Sequence, residues 1–173
     1  MLRFLSVPAT LAMVILCGPR FVTAAESSAT QNGCQELAAA ADEIVEDSPT
    51  IEARAFIREL ARRVAGIDPG PKGIIDLAQG GENVVVGGGF KPIFDDGSQG
   101  QARHFAGTAG SVERFGAAAT LMAGSTFLRD PPDSADGRLG RAAVVFATKL
   151  IEGDLTPLDT STWIREYLCE QDD

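Results

Sequence analysis

His104 is the only histidine in the chain, and so the simplest candidate for a general base near neutral pH. Around it, Gln101, His104, Thr108 and Ser111 recur at the three- and four-residue spacing that puts side chains on one helix face, with Arg103 adjacent. A histidine paired with a carboxylate could serve in hydrolysis. Asp95 and Asp96 stand just upstream, and Glu113, Asp133 and Asp136 are acids that folding could bring to the ring. No G-x-S-x-G turn presents a nucleophile, and no second histidine is available for a metal centre. Three roles follow for His104: a hydrogen-bonded packing element on a small-residue helix, a catalytic or ligand-binding group, or an exposed residue without a role. Asp95, Asp96, Gln101, Arg103 and Thr108 are the ligand-binding candidates beside it, and no metal site or cofactor is expected.

Two glycine-rich segments invite sharper chemistry and fail its requirements. Val84-Val85-Val86-Gly87-Gly88-Gly89-Phe90 begins like a dinucleotide-binding turn, but Pro92 stands where the third glycine must open a helix. These glycines are expected in a turn or bulge. Asp95-Asp96-Gly97-Ser98-Gln99-Gly100 has the polar look of a calcium loop. Gly97 occupies a ligand position, however, and Ala106 stands where the bidentate glutamate belongs. The loop is better read as a helix start, with Asp96 or Ser98 as cap.

The N-terminus reads as a secretory signal over residues 1–25. Arg3 gives the basic start, Leu5 to Cys17 the apolar segment, and Val22-Thr23-Ala24-Ala25 the small residues before cleavage. Pro19 and Arg20 come too early for a membrane-spanning helix. Cleavage would remove Arg3 and Arg20 but no acid, taking the net charge from −9 to −11. So acidic a product lacks the basic footprint that nucleic acid or an anionic membrane requires. Cleavage also removes Cys17, leaving Cys34 and Cys169. In an oxidising compartment this pair is expected to form one disulfide tying the first helix to the last.

The elements that must position these residues are mainly helical. Leu37, Ala40, Ala41, Ile44 and Val45 give a first helix from Cys34, and Ser48-Pro49 is expected to stop it and start the next. The second carries Ala53, Phe56, Ile57, Leu60, Ala61 and Val64 on one stripe and ends at Gly66. Glu36, Glu43, Glu46 and Asp47 on the first helix would offset Arg54, Arg58, Arg62 and Arg63 on the second in an antiparallel hairpin. Residues 67–98 are dense in Gly and Pro and lack a helical period. Residues 99–129 read as two helices or one kinked helix, with Phe115 to Leu128 as the buried central helix. Ser134 or Asp136 caps a helix ending near Gly153, and Asp159 or Thr160 caps a last one carrying Trp163 and Tyr167.

The expected organisation is a signal peptide (1–25), a flexible leader (26–33) and one domain (34–173). That domain is a compact bundle of five or six helices, with an irregular region at 67–98 and room for one short β-hairpin. The expected product is exported, to the periplasm, cell surface or medium, and has no membrane span after cleavage. Its leading reading is a non-enzymatic binding or envelope-associated domain whose partner is a protein or small-molecule ligand. The alternative is a small secreted hydrolase using His104 as base.

Overall fold

The computed structural model describes residues 32–124 and 131–171. The signal segment 1–25 and the leader as far as Gln31 lie outside the described residues, while Asn32 caps and Gly33 opens the first helix. Seven helices form among these residues: α1 (Gly33–Asp47), α2 (Ala53–Ala65), α3 (Gly73–Ala78), α4 (Gln101–Phe115), α5 (Ala117–Ala123), α6 (Ala135–Glu152) and α7 (Thr160–Tyr167). A turn of 3₁₀ helix at Pro157–Asp159 leads into α7.

Local chemistry sets four of the helix ends. The Asn32 side chain accepts from the Gln35 N–H at 3.0 Å, and the Ser134 hydroxyl accepts from the Gly137 N–H at 3.0 Å. Gly66 and Gly153 stop α2 and α6 in the left-handed region, at φ 64° and 88°. Ser48 does not cap α2. Its N–H bonds to the Ile44 carbonyl and extends the end of α1, Ile51 turns back onto Ser48, and α2 begins after Glu52.

α4 is the centre of the bundle, packed against α2 on one side and α6 on the other, while α1 packs on α7. Its small residues make this approach close: a Cβ added at Gly110 would stand 3.0 Å from the Ala61 Cβ. Phe105 of α4 meets Phe146 of α6 at 5.1 Å between ring centres, and Phe146 meets Trp163 of α7 at 5.2 Å. The expectation that Phe115 to Leu128 forms the buried central helix is corrected here. Gly116, at φ 82°, ends α4 and redirects the chain, and Phe115 is half exposed. α5 buries Thr120 alone, and residues 125–130 lie outside the described residues. Ala119, Leu121 and Ala123 of α5 face a groove, while Ala117 packs against the core.

Among the described residues no strand forms, so Val84–Val86 does not make half of a hairpin. The Glu82 and Val85 N–H groups bond instead to the carbonyls of Ala65 and Val64 at the end of α2. The glycines that follow allow a close threading. Gly88 O accepts from the Cys34 N–H at 3.1 Å, Gly89 O accepts from the Glu170 N–H at 2.9 Å, and Phe90 pairs with Cys169 in an antiparallel bridge. At Gly89 (φ 82°) a Cβ would overlap the Asn32 side chain. The same place holds the Cys34–Cys169 disulfide, with Cα atoms 5.5 Å apart. The bond joins the start of α1 to the residues just beyond α7.

Charged pairs differ in part from the expected hairpin. Arg63 meets Asp47 and Glu43 of α1 at 2.6 and 3.5 Å, as well as Glu59 on its own helix. Arg54 and Arg58 reach instead to Glu113 on α4. Arg114, the next residue, donates to the carbonyls of Gly70 and Asp68 at 3.1 and 2.6 Å. The end of α4 thus fastens both α2 and the loop that carries α3.

Candidate functional site

That fastening leaves α3, α4, α5 and α6 around an open groove of about 770 Å³, within the range of small-molecule sites. α4 contributes His104, Thr108, Ser111 and Phe115, one face at helical spacing. α6 contributes Gly137, Gly140, Arg141 and Val144, a second stripe at the same spacing, together with Asp136. Ile74 and Leu77 of α3 and Ala119 and Leu121 of α5 form apolar walls. Ile74, Phe115 and Leu121 are each about half exposed, at 51%, 50% and 45%. Such side chains gathered on one concavity indicate a surface made to be covered, since single exposed apolar residues are ordinary and clusters are not.

His104 stands against α6. Its Nε2 is 3.2 Å from the backbone carbonyl of Asp136. Because a carbonyl can only accept, this contact assigns the proton to Nε2 and leaves Nδ1 as the acceptor of the neutral ring. Gly140 makes the approach possible, since a Cβ there would lie 3.3 Å from Nε2. The hydroxyls beside it are differently placed. Ser111 donates to the Gly107 carbonyl at 3.0 Å and Thr120 to the Gly116 carbonyl at 2.9 Å, each on its own helix. Thr108 makes no hydrogen bond among the described residues.

Of the acids considered as partners for the ring, Glu113 is held by Arg58 at 3.2 Å. Asp95 and Asp96 organise the loop before α4. Asp95 accepts from the Gly97 N–H and Asp96 from the Ser98 N–H, both at 2.8 Å. Neither caps α4, whose N-cap is Gly100. Gln101 links the two acids instead: its Nε2 donates to Asp95 Oδ1 at 3.0 Å and to Asp96 Oδ1 at 2.5 Å. Gln101 is fully buried, and its Oε1 has no partner among the described residues. Burial works against ionisation of Asp96, but the Ser98 hydrogen bonds and its own backbone N–H outweigh it and hold the carboxyl below its ordinary value.

The candidate residues therefore separate. His104 and Thr108 face the groove, whereas Asp95, Asp96 and Gln101 form a hydrogen-bonded loop at the N-terminal end of α4. Arg103 is half-buried beside Gly100 and does not line the groove. Sequence reasoning missed the α6 stripe and the α3 and α5 walls. The signal was present in Gly137, Gly140 and Val144, which follow the helical period beside the core stripe of Leu139, Ala143, Phe146 and Leu150.

Among the described residues no group of three or more His, Cys, Asp or Glu is placed to hold a metal ion. No helix among them is long and apolar enough to cross a membrane. No protein-family model, curated protein or solved structure matches the chain.

Proposed function

We propose that this chain is an exported, non-enzymatic binding domain whose ligand is a small molecule held in the groove between α4 and α6. One observation carries the reading: an apolar-walled concavity of about 770 Å³ on whose floor the His104 ring and the Ser111 hydroxyl are already hydrogen-bonded to backbone. His104 meets a carbonyl where hydrolysis calls for a carboxylate or a nucleophile, and the Ser111 hydroxyl bonds back to its own helix. These are the features of a site that orients a ligand rather than attacks one. Export is supported by the apolar N-terminal segment with its small-residue cleavage site and by the Cys34–Cys169 bond, which suits an oxidising compartment.

The test is saturable binding of the neutral, apolar fluorophore N-phenyl-1-naphthylamine by the whole chain recovered from an exporting host. Enhancement reaching one equivalent is expected. Ala119→Trp, an exposed wall position that the indole would fill, should weaken it about tenfold or more without lowering the melting temperature. Non-saturating fluorescence, unaffected by Ala119→Trp, contradicts a groove ligand. Ester or glycoside turnover abolished by His104→Ala in a folded protein would favour the hydrolase alternative.

A further inference from the structure

Resting on the binding reading above, we infer that the groove takes a single-chain amphiphile with an anionic head, its carboxylate beside Arg141 and its chain along the α3 and α5 walls. Among the described residues that line the groove, Arg141 is the one Lys or Arg. It is exposed and has no ion pair or hydrogen bond among the described residues. Of the other guanidiniums on or near α4, Arg103 does not line the groove, Arg54 and Arg58 are engaged by Glu113, and Arg114 by the carbonyls of Gly70 and Asp68. An unengaged guanidinium bordering an apolar concavity, in a chain of net charge −9, is a selective place for an anion, and its planar fork matches a carboxylate.

The rest of the groove sets the ligand's other end. From His104 to Phe115 the floor runs roughly 16 Å at 1.5 Å per residue, the reach of an extended chain of about a dozen methylenes. Ile74, Leu77, Leu121 and Val144 border that length with no hydrogen-bonding side chain, so they favour hydrocarbon over a second polar group. The head is placed at the Arg141 guanidinium, on the α6 side of the groove.

Calorimetric titration of the whole exported chain with dodecanoate, dodecanol and dodecyltrimethylammonium, each kept monomeric, tests the inference. One equivalent of dodecanoate should bind about tenfold more tightly than the ammonium compound, with dodecanol between them. Arg141→Gln should weaken dodecanoate by roughly three- to tenfold, the modest size suited to an exposed charge, and leave dodecanol unchanged. Raising the salt concentration should shrink the same preference. If the three probes bind equally, or Arg141→Gln changes nothing, the anionic head is wrong while the groove reading stands. If none of them binds, both fall. Co-sedimentation with phosphatidylglycerol vesicles without uptake of monomeric dodecanoate would replace the single amphiphile by a lipid surface and overturn the inference.

Discussion

At the scale of single residues, two glycines with nearly the same backbone angle separate conformational strain from crowding. Gly89 (φ 82°) lies against the Asn32 side chain that caps α1, whereas Gly97 (φ 80°) has open space where a Cβ would go. Gly97→Ala should cost about 1 kcal/mol, the left-handed penalty alone. Gly89→Ala should cost about 2 kcal/mol or more, because the cap is displaced as well. Urea midpoints of the two variants would show the difference, and equal losses would mean that the Asn32 contact is not tight. A second residue-scale prediction concerns acid. The Arg62 hydrogen bond holds the Glu59 carboxyl down to about 2 from an ordinary 4.5; burial opposes this and Arg63 adds to it. A depressed carboxylate stabilises the fold above its unfolded value and loses that contribution as pH falls from about 4.5 towards 2. Glu59→Gln should flatten stability over that interval, and an unchanged acid-unfolding curve would remove the pair from the account. The sequence showed the arginine stripe but not its partners, because Glu113 lies more than fifty residues away and reaches Arg58 only after α4 has packed on α2.

Among the elements, what could be read depended on whether a helix is defined by its own period or by its neighbours. α2 and α6 carry complete apolar stripes with glycine stops, and their C-terminal ends lie where those signals put them. The central helix was misplaced because apolar content was taken for burial. Phe115, Leu121 and Met122 are apolar yet 50%, 45% and 69% exposed, while α4 buries a face composed largely of alanine and glycine. Leu121→Ser should therefore change stability by no more than about 0.5 kcal/mol. Ala109→Leu, which overfills the α4 core face, should cost about 1–3 kcal/mol. The reverse order in thermal melts would restore the apolar stretch to the centre. The disulfide is legible from counting alone, once Cys17 is assigned to the signal segment. Replacing Cys34 and Cys169 together by alanine opens a loop of 135 residues, and chain entropy sets the upper bound of the loss at roughly 4 to 5 kcal/mol. α7 and the Gly88–Lys91 segment should show the earliest hydrogen exchange in that variant, since both are sewn to the same end.

For the whole molecule, the groove belongs to no single element. Its floor is one face of α4, its far side is the α6 stripe, and α3 reaches its wall only because Arg114 holds the preceding loop. His104 and Thr108 could be named from their spacing, since one helix carries both. Gly140, Arg141 and Val144 could not be joined to them, because the register of α6 against α4 is set by tertiary packing of Phe105 on Phe146. The central claim is that this concavity is a ligand site with His104 on its floor. As the chain's only histidine, His104 reports on it through imidazole NMR signals that need no assignment variants. Titration of the whole chain with dodecanol should move those signals saturably to one equivalent, with the shift abolished by Ala119→Trp. Imidazole signals that stay fixed while the alkyl probe binds elsewhere, or does not bind, would contradict the account.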